Sequence, residues 1–389
     1  MEATAALQEL QELPPVSPRP VEAPPRPGRI ATEGVLARAE RLVDEHHYAE
    51  AIAELNDVQI PSVSAPDLAL RVLFCDAWAR MYLGRLDAAV ETLERARSLT
   101  EGPFFTDLDR ADALFRLGCC RYKLSKVSNA VALFGTAMGL VHDEDIPADR
   151  LRSRILDWRS RCYQLQREWE AARVDAERSL ELAQSVGDDR LVVRAKMQCS
   201  LLAERRGDPL LARYYAERAR GLAEQIGDRQ TEARLLNNLG GLSFLLDDPV
   251  QAVAYLKEAF ALSLEIGNDA DAAQAVSSLA QVHLRSGAPE YAEEQARYAL
   301  TILDERDDYR DERGNLHLVL GRALLEQSRD DEAMAQFSTA EWLFREIGSV
   351  SHLAAAWMAQ ASAYEKAGDV VGAVVLYRRA AESLQDFNF

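Results

Sequence analysis

The chain has 389 residues, more than one compact core usually holds, so it must either divide into domains or extend by repetition. Its formal charge of -18 excludes a whole-molecule field that attracts phosphate backbones, which argues against nucleic acid as a direct partner and leaves only a local basic groove open. No apolar run approaches the roughly 20 residues of a membrane helix, and the start of the chain lacks a signal-peptide pattern.

The first 30 residues carry Pro14, Pro15, Pro18, Pro20, Pro24, Pro25 and Pro27, too many for a continuous helix, and few apolar residues. They predict a disordered leader over 1–30, within which Leu7, Leu10 and Leu13 could dock as one face of a short helix. The remainder, 31–389, is rich in Ala, Leu, Glu and Arg and offers no alternating strand pattern, which predicts an all-α chain.

Self-similarity then organises the elements. Ala51, Ala89, Ala130, Ala172, Ala212, Ala252, Ala292, Ala333 and Ala373 recur at intervals of 38 to 42 residues. Seven residues after each stands a second small residue, with Val58 and Ser179 as exceptions. Small residues seven apart share one helix face and let two helix backbones approach closely. Four residues after the first alanine, several copies place a larger apolar group: Leu93, Phe134, Leu256, Phe337 or Tyr377. Upstream lie Leu114, Leu117, Gly118 and Tyr122, then Leu236, Leu239 and Gly240, then Leu320 and Gly321, then Trp357, Ala361 and Tyr364. Polar turns such as Gly84-Arg85, Gly207-Asp208, Asp247-Asp248, Gly287-Ala288 and Gly368-Asp369 separate the two halves.

This pattern resembles the tetratricopeptide repeat, in which a first helix carries a large apolar residue, Leu-Gly and Tyr, and a second carries Ala and Phe. The resemblance implies a right-handed α-solenoid of about nine helical hairpins. Copies 1, 2 and 5 depart from the pattern on the first helix, and the period is about 40 residues instead of 34. The extra residues fall after the second helix, where Val186-Gly187-Asp188, Ile226-Gly227-Asp228, Ile266-Gly267-Asn268 and Ile347-Gly348-Ser349 predict a glycine-capped ending and a helix longer by more than a turn. In this respect the chain resembles the long-period repeats of bacterial peptide-sensing regulators and scaffolds. The last hairpin has no capping helix after it, and Phe387 and Phe389 either fold back over it or join a homodimer contact at that terminal edge.

No catalytic constellation, phosphate loop or zinc-ligand spacing is present, so no enzyme activity, cofactor or metal is expected. The histidines are scattered over different repeats. Cys75, Cys119, Cys120, Cys162 and Cys199 contain no CxxC pair and fit reduced core thiols of a cytoplasmic protein.

The resemblance implies that a protein or peptide partner lies in a concave groove lined by the first helices. Its groove positions fall on Arg154, Arg194 and Arg234 in three successive repeats, then on Gln274 and Asn315. Arginines stacked at one repeat spacing would form a ladder suited to carboxylates. Arg161, Gln198, Arg205, Asn237, Asn238, Gln281 and Arg285 join them, with Arg116, Lys123 and Arg322 nearby. Paired amides such as Asn237-Asn238 can satisfy a peptide unit whatever its side chain. The same arginines could instead bridge to acids of the adjoining repeat. The expected function is a non-catalytic scaffold that holds an acidic or C-terminal segment. The alternative is a regulator whose superhelix changes shape on binding a small peptide.

Overall fold

The computed structural model describes residues 27–45, 47–56, 65–142, 145–303 and 309–385. Leu7, Leu10, Leu13, Phe387 and Phe389, and with them the docking expectations above, lie outside the described residues, as do Val58 and His46. Among the described residues eighteen helices form nine hairpins: α1 Pro27–Asp44 with α2 Tyr48–Asn56, α3 Pro66–Tyr82 with α4 Leu86–Thr100, α5 Asp107–Lys123 with α6 Val127–Leu140, α7 Ile146–Leu165 with α8 Trp169–Val186, and α9 Asp189–Arg205 with α10 Pro209–Ile226. The array continues with α11 Arg229–Leu245 and α12 Pro249–Glu265, α13 Asp269–Arg285 and α14 Pro289–Leu303, α15 Arg310–Glu326 and α16 Asp330–Glu346, and α17 Val350–Lys366 and α18 Val370–Gln385. The first described helix opens at Pro27, inside the stretch read from sequence as the leader, and Pro at a first helical position sacrifices no hydrogen bond.

Each helix packs on its neighbours in sequence, and every first helix also touches the first helix of the next hairpin, whereas second helices do not touch one another. First helices therefore form the inner wall of a curved array and second helices its outer wall. The nine alanines that define the repeat are at most 3 % exposed, at the seam between the two helices of each hairpin. The serine exception is explained at its neighbour. Ser179 donates to the Ser153 carbonyl at 2.8 Å and Ser153 returns a bond to the Ser179 carbonyl at 3.0 Å, so two hydroxyls close a helix contact made elsewhere by alanine.

A second exchange sits one turn further along the seam. A Cβ on Gly118 would stand 2.5 Å from the Phe134 ring, one on Gly240 would stand 2.5 Å from Leu256, and one on Gly321 would strike Phe337. Where the second helix carries only alanine, as at Ala176 and Ala216, the first helix carries Ser160 and Ser200, whose hydroxyls donate to the Ala172 and Ala212 carbonyls at 2.8 Å. In these five hairpins the seam is filled either by a large side chain over glycine or by a hydroxyl over alanine, which keeps the packing dense in both cases, while in the other four Ala39, Ala77, Ala280 or Ala361 stands at this position of the first helix.

The boundaries follow from left-handed residues. In the turn between the two helices of hairpins 2 to 9 one residue always has positive φ: Gly84, Gly207, Gly287 and Gly368, but also Ser125, Arg167, Asp247 and Ser328. Between hairpins, Gly187, Gly227, Gly267 and Gly348 take φ of 67 to 69°. The residue after each glycine donates its N–H five residues back, as Asp228 does to Ala223 at 2.9 Å, which satisfies a terminal carbonyl. Asp188, Asp228 and Asn268 then cap the next helix through Leu191, Thr231 and Asp271 N–H groups, so one short segment stops a helix and starts another. Helices ended this way run 17 or 18 residues, against 14 or 15 for α4, α6 and α14. The extension is two to four residues, close to one turn rather than more than one.

Candidate functional site

The inner wall encloses a cavity of about 370 Å³ that draws on six first helices and the start of α15. Among the residues expected from sequence, Arg161, Arg194, Arg234 and Asn238 line it, with Gln274 beside them. The equal spacing of the arginines places them on one face, but their surroundings differ. Arg234 Nε donates to Asp271 Oδ2 at 2.7 Å, and that carboxylate is only 3 % exposed. Arg154 lies outside the cavity lining, with its guanidinium 4.6 Å over the Phe115 ring and 3.7 Å from Asp112 Oδ1. Burial lowers its pKa from the usual arginine value, with Asp112 opposing. Arg161 donates to Asp157 at 2.9 Å and rests over Trp158. Arg194 faces the cavity half-buried, and no carboxylate among the described residues pairs with it within 4.0 Å.

The other expected residues are spread out. Gln198, one turn beyond Arg194, is 1 % exposed, beneath the surface rather than on it, and neither of its amide atoms has a partner. Asn237 and Gln281 are half-buried, while Arg205 and Arg285 are exposed at the far ends of α9 and α13, the latter over the Phe244 ring. Arg116 is held by Asp112 and stacks on Phe74.

The cavity also contains what the sequence reading passed over. Tyr82, Tyr122, Trp158 and Tyr309 supply aromatic walls, and Asp271, Asp311 and Glu312 supply acid. Trp158 occupies the register of Asn238 two repeats earlier, so extending the column of groove positions would have found it. The Glu312 carboxyl accepts a bond from the Ser277 hydroxyl, and burial pushes its pKa up to about 7, with Asp311 adding in the same direction. Burial likewise raises Asp157, with Arg161 opposing. Lys123 lies 5.2 Å over the Tyr309 ring.

Two further features concern the coil as a whole. Tyr48 of the first hairpin, stacked on Tyr82 at 4.9 Å, lies against the Gln230 side chain of the sixth, so distant repeats meet across the cavity through side-chain tips. A second cavity of about 350 Å³ separates the turns at Ser125 and Arg167 from the α16–α17 turn at Gly348 and the start of α17 at His352. Unmet hydrogen-bonding capacity is concentrated on the inner wall. Asp157 Oδ1, both Gln198 amide atoms, Asn237 Oδ1 and Asp271 Oδ1 are buried without a hydrogen-bond partner on four successive first helices. Among the described residues no cluster of His, Cys, Asp or Glu is arranged to hold a metal, and no helix is long and apolar enough to cross a membrane.

The sequence matches no protein-family model and none of the curated proteins. Solved structures do resemble the chain. A Rap protein complexed with competence and sporulation factor superposes with a TM-score of 0.66 at 17 % identity, over 93 % of this chain and 99 % of that one. The apo form of the quorum sensor NprR from B. thuringiensis gives 0.56 at 13 % identity, over 91 % and 99 %. Aspartyl phosphate phosphatase F from Bacillus subtilis gives 0.56 at 13 % identity, over 94 % and 96 %. At such identities the likeness establishes the fold: this chain is an all-α solenoid of the tetratricopeptide-repeat type.

Proposed function

We propose that the chain is a non-catalytic, cytoplasmic scaffold or regulator that holds a peptide or an extended protein segment along its inner wall. The observation that carries this reading is the cavity of about 370 Å³ on the inner wall, to which six first helices bring Arg194, Asn238 and Gln274 beside Tyr82, Tyr122 and Trp158. A main chain laid along the wall offers a donor and an acceptor at every residue, which amide and guanidinium side chains there can meet. Two proteins of similar fold, a Rap protein complexed with competence and sporulation factor and the quorum sensor NprR, support it as likeness of fold. The binding unit is the helical array that opens with α1 at Pro27.

Within this reading Arg194 is the rung of the ladder that receives a carboxylate, from an acidic side chain or a chain end, because Arg154 and Arg234 already face Asp112 and Asp271. Replacing all three arginines would leave Asp271 buried and uncompensated, a loss of about 3–5 kcal/mol, and would confuse binding with unfolding. Arg194→Glu alone avoids this. The native chain should retain members of a random pentapeptide pool with free C-termini, and Arg194→Glu should lose those held by their carboxylate. Equal retention of the same peptides by both proteins would remove Arg194 from the site.

A regulatory version is favoured by the contact between Tyr48 and Gln230 across the coil. An occupant that moves either residue changes how the first hairpin sits against the sixth, and hence the pitch. A radius of gyration that is the same with and without retained peptide would count against it.

A further inference from the structure

The core is uneven along the array. One buried cluster runs from Ala77 to Cys162 through hairpins 2 to 4, and another from Ala273 to Ala363 through hairpins 7 to 9. Between them the core divides into smaller groups, and Ala172, Ala176, Cys199 and Leu202 form the one where hairpin 4 meets hairpin 5. A cleft of about 330 Å³ opens on the outer wall at that joint, between Arg173 and Ala176 of α8, Cys199 and Ala203 of α9, and Leu211 and Tyr215 of α10. Leu211 at its rim is 43 % exposed.

Hairpins on opposite sides of this joint meet differently across the coil. Among the described residues no helix of hairpins 1 to 3 comes into backbone contact with a helix of hairpins 6 to 9, and the second cavity separates the turns at Ser125 and Arg167 from α17. Side chains alone bridge the gap: Tyr48, stacked on Tyr82, lies against Gln230, and the Lys123 ammonium lies 5.2 Å over the Tyr309 ring. Among the described residues Tyr309, at φ 61°, is the only aromatic one in the left-handed region, which bulky side chains rarely enter. Space on the outside of a bend is what straightening takes up. Closing the cleft covers Leu211 and Tyr215 while it parts the two bridging contacts, so a gain in apolar burial stands against their loss.

We propose that hairpins 1 to 4 and hairpins 5 to 9 are two blocks hinged at this cleft, and that Tyr48 against Gln230 and Lys123 against Tyr309 are the latches that hold them closed over the inner wall. Opening is built into the chain and needs no occupant, so the hinge stands or falls independently of what the channel binds. It gives the array two discrete arrangements, one with the latches made and the cleft open, the other with the latches parted and the cleft shut.

The test is small-angle scattering from the full chain with no ligand added, with helicity followed by circular dichroism. In the double variant Tyr48→Phe, Tyr309→Gly the first change removes only a hydroxyl, and the second removes the ring at a backbone conformation that glycine adopts freely. The radius of gyration should rise by about 1 Å or more, against the roughly 21 Å of a compact chain of this length. Adding Leu211→Asp places a charge on the exposed rim in the first turn of α10, where it opposes closing of the cleft and should return the radius to the native value. A native radius in the double variant overturns the latches. An expansion that Leu211→Asp leaves in place overturns the hinge at the cleft. Tyr48→Phe and Tyr309→Gly alone should each give part of the rise, and a native radius in both overturns the proposal even where the double variant loses helicity.

Discussion

The exchange at the hairpin seam yields a quantitative expectation. Gly118→Ser places a Cβ 2.5 Å from the Phe134 ring, and the aromatic side chain is fully buried with no open space to enter. Overpacking of this kind costs about 1–3 kcal/mol, more where backbone must move. Phe134→Ala alone removes a ring at the centre of the cluster around Phe115 and Ala137, a loss of about 3–5 kcal/mol. Together the two changes recreate the arrangement of Ser160 over Ala176, in which the hydroxyl bonds the Ala172 carbonyl. The double variant should therefore cost about as much as Phe134→Ala alone, with a coupling of about 2 kcal/mol in favour of the pair. Urea unfolding followed by tryptophan fluorescence is suited to this site, because Trp78 and Trp158 pack against the same cluster. Since solenoids can unfold in segments, the midpoint assigned to this cluster is the quantity to compare. Additivity within about 0.5 kcal/mol would refute the claim that the two positions share one volume.

Two other expectations follow from groups outside the seam. Burial holds the Glu312 proton more tightly in the folded chain, at about 7 against an ordinary 4.5. Below the ordinary value the group is protonated in both states; as pH rises from about 4.5 to 7 the unfolded chain releases the proton first, and stability falls by roughly 2–3 kcal/mol before levelling. Urea midpoints from pH 5 to 8 should show this decline in the native chain and a flatter profile in Glu312→Gln; identical profiles would contradict it. Gly227→Ala, at φ +69°, should cost about 1 kcal/mol, whereas Gly221→Ala, inside α10 with open space around the added methyl, should gain about 0.5–1 kcal/mol, and thermal denaturation of the two variants decides the contrast.

The repeat was legible because it rests on residues that few alternatives can replace. A seam alanine or a left-handed glycine between hairpins is nearly forced by geometry, so Ala51 to Ala373 and Gly187 to Gly348 marked the hairpins directly. The turns at Ser125, Arg167 and Ser328 were not marked, because a polar residue can adopt positive φ at modest cost and then leaves no compositional trace. The site was legible only as a column. Equal spacing placed Arg154, Arg194 and Arg234 on one face, but it could not say that Asp271, 37 residues after Arg234, would take its charge. That pairing depends on how neighbouring first helices approach, which is a property of the superhelix and not of one repeat. Gln198 failed for the same reason: its register matches Asn238, yet the local packing of α9 draws it below the surface.

The alternation of glycine under a large side chain with serine under alanine also limits how such an array can be rearranged. A first helix with Ser160 or Ser200 set against a second helix with Phe134 or Phe337 would collide, and one with Gly118 or Gly321 set against Ala176 or Ala216 would leave a void. The smallest piece that can be duplicated, deleted or moved between such chains without a second change is therefore the hairpin. A crossover within the turn at Ser125 or Arg167 would separate partners that fit only each other.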